Sequence, residues 1–471
     1  MSAKAIAKDV TAGLDLMGQA ALVKSRDATP LELVDAAIAR IEAVNPKLNA
    51  VVTECFDLAR SRARGPLPAG PLSGVPYLIK DLNDLAGVRT TMGSRQLATQ
   101  IATGNASLSQ AALDAGMIVI GKTNTPEWGL LATTESVLLG PCRNPWNVEH
   151  SSGGSSGGAA AAVAAGILPA AHASDGGGSI RIPASCCGVF GMKPSRRRMN
   201  LTADVALPGD IGVENTVSRT VRDNAMIFSL SEDRSAKAPC KPVGFVSGPS
   251  SKRLKIAFGT RSYYGNEPHA DVKAALEATA SLCSDLGHTV VEARNPLDGE
   301  EFMDRFLTVW ASGPATLVQM ARVQQLNPED VLEPWTTGLA AFFAKKPADA
   351  LPKALAYLLQ VEVAIERFME DYDVWLTPVL SAPAPKLGEQ GPLVPFDTLY
   401  ERVSRYVAYT PVHNVAGTPA MSVPLGMSRD GLPIGSMFAA AKGGEGMLYA
   451  LAYELEQAAP WAGRKPRVFA E

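Results

Sequence analysis

Apolar residues in this chain recur at two spacings, and the spacings lay out its elements. Leu31, Leu33, Val34, Ala37, Ile38, Ile41 and Val44 fall mostly at three- and four-residue steps and line one helix face. Thr29-Pro30 marks a start and Asn45-Pro46 a stop, and residues 8–65 as a whole read as helical. Pro71–Lys80 reads as a turn feeding a short buried strand. Ala111–Ala115 continues a helix, and Met117–Ile120, closed by Gly121, reads as a buried strand opening onto a polar loop, Gly121–Gly129. The Ala-rich run Ala159–Ala173 is broken by Gly166 and Pro169; it is too short to span a bilayer and reads as a buried helix. Ser218–Asp223 opens a helix running to about Leu230, and 231–252 reads as a connector. Then come a strand at Leu254–Phe258, an amphipathic helix at Asp271–Leu286 and a strand at His288–Val291. Strands alternating with helices predict an α/β fold, a sheet with helical cover. Residues 300–370 depart from this: they are helical, rich in aromatics and without a strand run, which marks a helical insertion. Val374–Pro378 returns to strand, Ser381–Gly391 is a Pro-rich loop, and Val412–Gly426 and Gly431–Ala440 are strand-like runs. A last helix spans Glu445–Ala458.

Composition narrows the class. With 471 residues, 46% hydrophobic and 19% charged, the chain can bury a large core. A net charge of −3 gives no pull toward nucleic acid or an anionic membrane. The six cysteines form no C-x-x-C pair, which argues against a zinc site or disulfide scaffold and fits a reducing cytoplasm. The first residues carry no apolar signal region, so the expected location is cytoplasmic. No cofactor or metal is expected.

The chemistry concentrates between Ser151 and Gly191, where glycine and small residues crowd. Gly153-Gly-Ser-Ser-Gly157 matches G-x-S-x-G, the nucleophile elbow of Ser–His–Asp hydrolases, which would require a later acid and histidine. Of His172, His269, His288 and His413, only His413 is open to that role. The other route needs no histidine. A serine nucleophile needs a base, and a lysine serves if burial lowers its pKa. Lys80 closes an apolar run; it is either the first residue of an exposed loop or a buried base linked to Ser179 through Ser155. Asp175-Gly-Gly-Gly-Ser179 offers consecutive backbone N–H groups, a nest for an oxyanion. Lys122 and Asn124 read as loop hydrogen-bonding residues. A pocket wall needs apolar bulk, so Trp310 and Trp335 are candidates for substrate contact.

These residues fall in a series that resembles the amidase signature enzymes. It runs through Gly74–Pro76 with Lys80-Asp81, Thr90–Ser94, Gly121–Glu127, Arg143–Asn147, Gly153–Gly158, Ser174–Pro183 and Gly188–Ser195. Ser218–Asp223, Asn414–Gly426 and Gly431–Pro433 complete it, covering roughly residues 20–460 and matching least over 255–410. The resemblance implies one amidase signature domain over 1–471: a central mixed, twisted sheet covered by helices on both sides, an N-terminal helical segment (1–65) packed on it, and a helical insertion (300–370) shaping the substrate pocket. It implies a Ser–cisSer–Lys triad with Ser179 as nucleophile, Ser155 as the serine at a cis peptide and Lys80 as base. The N–H groups of Gly176, Gly177, Gly178 and Ser179 would form the oxyanion hole. Ser156 and Ser174 would support the network, and Asp175 and Arg181 would orient the glycine loop or stand as a structural ion pair.

The chain departs from the family at Gly176, where larger residues are usual, at Gly435–Met437, where many members have Gln, and at Ser151-Ser152 in place of Thr-Pro. These changes argue against the glutamyl-tRNA amidotransferase subunit, which needs a glutamine pocket and partner chains. Arg143–Asn147, Ser218–Asp223 and Pro460-Trp461 are most similar to bacterial hydrolases of nylon oligomers and anilides, a branch that also splits carbamates. The expected activity is hydrolysis of amides, possible carbamates included, by a monomer or homodimer acting on small molecules.

Overall fold

The computed structural model describes residue 9 and residues 11–199 and 209–470. Two sheets meet at its centre. In the smaller, Ile118–Thr123 lies between Pro76–Lys80, parallel to it, and Val51–Glu54, antiparallel to it. All residues of Pro76–Lys80 and Ile118–Thr123 are buried, as suits strands covered on both faces.

The larger sheet has eight strands, in the order Thr289–Glu292, Lys255–Phe258, Val374–Pro378, Pro433–Ala439, Ala420–Met427, Phe190–Lys193, Val213–Ser218, Ala170–Asp175. Lys255–Phe258 runs parallel to both neighbours and the other pairings are antiparallel, so the sheet is mixed, with helices flanking it. The sheets join edge to edge: the free N–H of Lys80 donates to Nδ1 of His172, and the hydroxyls of Tyr77 and Thr216 lie 2.8 Å apart.

The helix Pro30–Leu48 starts where expected, with Thr29 and Glu32 forming a reciprocal cap, and buries its Val34, Ile38 and Ile41 face. It does not stop at Asn45-Pro46. Pro46 sits in the last turn, where its missing N–H removes one hydrogen bond, and Asn49 ends the helix at φ +52°. The Asn45 side chain instead accepts from Ala50 and Val51 and starts the strand Val51–Glu54. That strand, within a stretch expected to be helical, has four residues, too few to show a period.

Three further expectations change. Ala159–Ala173 divides into the helix Gly157–Ala164 and the strand Ala170–Asp175, parted by Gly166 and Pro169. Gly121 does not close its strand, which continues to Thr123; the glycine is there because a Cβ would come 2.8 Å from the Thr53 carbonyl oxygen. Val412 lies in a short helix, Pro411–Val415, and the strand begins at Ala420. Residues 300–370 are mostly helical as expected: they form Gly299–Val323, Pro328–Val331, Pro334–Ala344 and Ala350–Glu370, and Phe302, Phe306 and Val361 share one buried apolar cluster with Trp375.

The helix Gly157–Ala164 is wholly buried, and its small residues let it touch the smaller sheet. A Cβ on Gly158 would lie 2.3 Å from the Asn124 amide nitrogen and 2.6 Å from the Ala50 carbonyl oxygen, both backbone atoms. Gly158→Ala gains about 1 kcal/mol of helix propensity. Overpacking against backbone outweighs that gain, so urea unfolding should show a net loss of about 1–3 kcal/mol. Gly104→Ala, where a Cβ meets nothing within 4 Å, should change stability by less than about 0.5 kcal/mol.

Candidate active site

Lys80 ends its strand pointing inward, with none of its surface exposed. It does not open an exposed loop. Its Nζ lies 2.7 Å from Ser155 Oγ and 3.0 Å from Ser174 Oγ. Both partners are neutral hydroxyls. Burial pushes the Lys80 amine down to about 7, while Glu214 and then Asp175 act in the opposite direction.

Two other buried lysines differ. Lys122 pairs with the Asp81 carboxylate at 2.6 Å and donates to Thr90 Oγ1 and the Arg89 carbonyl, a structural role close to the one expected of it. Lys193 is also held near 7 by burial, but its Nζ donates to the Pro194 carbonyl and it lines neither cleft described below. Asn124 bonds the Asn49 and Gly140 carbonyls.

Ser155 sits in the turn between the strand Asn147–Ser151 and the helix Gly157–Ala164, and the Gly154–Ser155 peptide is cis. The next residue ties this turn to the second glycine loop. Ser156 N–H donates to the Ser179 carbonyl at 3.3 Å, and its hydroxyl bridges the Ser174 carbonyl and N–H. Ser155 and Ser179 therefore come from separate loops that are hydrogen-bonded to each other, and both line one cleft.

Asp175 and Arg181 hold the glycine loop. Arg181 Nε and Nη2 each lie 3.0 Å from an Asp175 oxygen, a bidentate pair with both side chains fully buried. The same carboxylate accepts from the N–H groups of Gly178 and Ile180 and from Asn414 Nδ2. Burial opposes ionisation of Asp175, but Arg181, with Lys193 and Asn414, holds the carboxyl well below the usual carboxylate range.

One of the four expected oxyanion donors is committed elsewhere. Gly178 N–H donates to Asp175 at 2.7 Å. Its φ of +134° and a Thr410 hydroxyl 2.4 Å from any Cβ require glycine there. Among the described residues, the N–H groups of Gly176, Gly177 and Ser179 have no hydrogen-bond acceptor.

Two clefts meet at Ser179. One, of about 100 Å³, is lined by Met92, Trp128, Ser155, Ser174, Ser179, Glu214 and Trp310. The other, of about 50 Å³, is apolar and lined by Leu131, Ile182, Phe306, Leu307, Trp310, Trp335 and Val403. Trp310, stacked on Phe306 at 5.6 Å, borders both. Trp335 is buried, with its indole N–H on the Leu130 carbonyl, so it touches only the apolar cleft.

Among the described residues no histidine bonds either serine. His413 is buried, 3.0 Å from Thr418 Oγ1 and edge-on to Trp375, so the Ser–His–Asp arrangement is not assembled. Among the described residues no group of His, Cys, Asp and Glu is placed to hold a metal ion.

Sequence reasoning passed over four residues of this region. His172 offers the sequence no role as a late base, yet it joins the sheets. Glu214 lies on a strand, Val213–Ser218, that the apolar pattern did not mark. Asn414 bonds both Asp175 and Arg181 and, with the Thr410 carbonyl, links them to the C-terminal half. Glu127 accepts from Ser94 Oγ, from the Glu333 N–H and from Thr336 Oγ1, which fixes the start of the insertion helix Pro334–Ala344 beside Trp128. Its signal is its place at the end of the polar run Gly121–Glu127; two of its partners, Glu333 and Thr336, lie 206 and 209 residues away.

Residues 32–449 match the family described as Amidase. The chain belongs to the amidase family. It is a hydrolase acting on amides, with the mixed sheet and flanking helices of the amidase signature enzymes. It is 39% identical over 463 residues to a putative amidase, AmiC, of Mycobacterium tuberculosis, spanning 97% of each chain. The solved structure of a 6-aminohexanoate cyclic dimer hydrolase with its substrate superposes with a TM-score of 0.88 at 32% identity, covering 97% of this chain and 99% of that one. A bacterial aryl acylamidase of the amidase signature enzymes gives a TM-score of 0.85 at 26% identity, covering 96% and 99%.

The amidase's glycine loop rests on a buried charge pair, and removing one partner strands the other. Asp175→Ala should lower the unfolding free energy by about 3–5 kcal/mol in a denaturant titration.

Proposed function

We propose that this amidase cleaves C–N bonds of aryl amides and oligoamides, and of carbamates, by a Ser–cisSer–Lys triad through an acyl-enzyme. The observation that carries this reading is the Lys80 amine, fully buried and 2.7 Å from the hydroxyl of Ser155. A buried amine with only hydroxyl partners favours the neutral form, which is the form that can accept a proton.

In this reading, neutral Lys80 takes the Ser155 proton as Ser155 takes the proton of Ser179. Ser179 Oγ bonds to the substrate carbonyl carbon. The carbonyl oxygen becomes an oxyanion, held by the free N–H groups of Gly176, Gly177 and Ser179, each worth about 10²–10³ in rate. When the C–N bond breaks, the leaving nitrogen takes its proton from Ser155, and Ser155 is reprotonated from Lys80. Water then repeats the sequence. Its proton passes to the relay, its oxygen bonds the acyl carbon, and Ser179 leaves with a proton restored.

The substrate class follows from the walls. The apolar cleft suits a flat or extended apolar group, and Trp310 would separate it from the polar cleft at Ser155, where the leaving amine needs its proton. The 6-aminohexanoate cyclic dimer hydrolase and the aryl acylamidase, alike over nearly their whole lengths, support oligoamide and anilide substrates.

Two outcomes follow. Ser179→Ala and Lys80→Ala should each reduce anilide turnover by more than about 10³-fold while leaving the circular dichroism spectrum and unfolding midpoint near wild type; a folded Ser179→Ala protein with substantial activity would sink the assignment. Because the base must be neutral, kcat/KM should fall as pH drops through about 7 and level off above it. A flat profile between pH 5 and 9 would exclude Lys80 as the base, to be read by initial rates on a neutral anilide.

A further inference from the structure

Glu214 and His172 take no part in the acyl transfer described above, yet both reach Lys80. The strand Pro76–Lys80 is an edge of the smaller sheet, and its last N–H, on Lys80, meets no other strand. It donates instead to His172 Nδ1 at 3.2 Å. An accepting Nδ1 carries no proton, so the neutral ring keeps its proton on Nε2, which donates to Glu214 Oε2 at 2.5 Å. Burial holds His172 below its ordinary value, consistent with this neutral tautomer.

Glu214 also stands opposite Ser174 in the antiparallel pair of Val213–Ser218 with Ala170–Asp175. The Ser174 hydroxyl is the second acceptor of the Lys80 amine. Glu214 is thus linked through His172 to the Lys80 backbone, and it stands across the strand pair from the serine that accepts from the Lys80 amine.

We propose that Glu214, acting through His172 and beside Ser174, is a positioning residue that sets the acid limit of turnover. The inference rests on Lys80 being the base. The charged groups facing Lys80 are Glu214 from Val213–Ser218 and Asp175 from Ala170–Asp175. Asp175 is neutralised by its bidentate partner Arg181, and Asp81, next along the chain, by Lys122. His172 and Tyr77, the remaining titratable neighbours, are uncharged, Tyr77 being held well above neutrality by burial. Glu214 is therefore the carboxylate beside Lys80 with no cationic partner of its own among the described residues. Its other oxygen has no protein hydrogen bond among them, and the residue lines the catalytic cleft.

The sign follows. A carboxylate stabilises the ammonium, so it delays deprotonation as pH rises. Glu214→Gln keeps the shape and an acceptor for His172 but removes the charge. The acid limb of kcat/KM should move down by about one pH unit. The plateau should fall several-fold, because a weaker base gives less driving force. Glu214→Ser, a second neutral variant, should move the limb the same way, and Glu214→Asp should return it toward wild type. A limb that stays in place or moves up in both neutral variants, with Lys80→Ala inert, would overturn the role of Glu214 alone. Activity in folded Lys80→Ala would overturn this inference together with the triad.

Discussion

An amine taken wholly out of water must find a counter-charge or give up its proton, and the centre of this protein is built around that choice at Lys80. Its amine hydrogen-bonds two serine hydroxyls and no carboxylate. Lys122, on the adjacent strand, is the internal contrast: similar burial, but a carboxylate at 2.6 Å. Burial pushes both amines down, but at Lys122 the Asp81 carboxylate opposes it directly, while Lys80 is brought to about 7. The burial that does this requires two sheets with covered strands to meet edge to edge, and a helix of glycine and alanine thin enough to fill the space beside them.

The buried Asp175 is held so as not to undo that balance. Asp175 would favour the Lys80 ammonium, but Arg181 binds it with two hydrogen bonds, and the carboxylate spends its other bonds shaping the glycine loop. Among the described residues that loop leaves the N–H groups of Gly176, Gly177 and Ser179 without an acceptor, while Thr410 and Asn414 brace it from the C-terminal half. On the other side, Glu127 holds the helix Pro334–Ala344 against the turn that carries Trp128 and Gly129, so the wall of the two clefts is fixed to the same frame as the serines.

Much of this was legible in the residues. The α/β alternation, the helical insertion and the Lys80–Ser155–Ser179 set rest on local features: apolar periods, glycine clusters, an ordered series of short motifs. What was not legible depended on contacts distant in sequence. Val51–Glu54 and Val213–Ser218 are strands because of their neighbours, having too few residues or too mixed a pattern to announce themselves. The Ala-rich run hid a strand because alanine serves both a buried helix and a covered strand. Gly178 looked like a free donor because nothing in Asp-Gly-Gly-Gly-Ser tells which N–H the Asp175 carboxylate will take; the turn geometry decides it. Glu214 and His172 looked ordinary because their meaning lies in what they face across a sheet junction.

The proposed function stands on Ser179 carrying the acyl group and on neutral Lys80 placing it there. Acid-quenching the enzyme during turnover of a slowly deacylating anilide, then mapping the digest by mass spectrometry, tests this most directly. The mass of the acyl group is expected on the peptide containing Ser179 in the wild type, and on no peptide of Lys80→Ala. An acyl group on another residue, or equal labelling of Ser179 without Lys80, would contradict it.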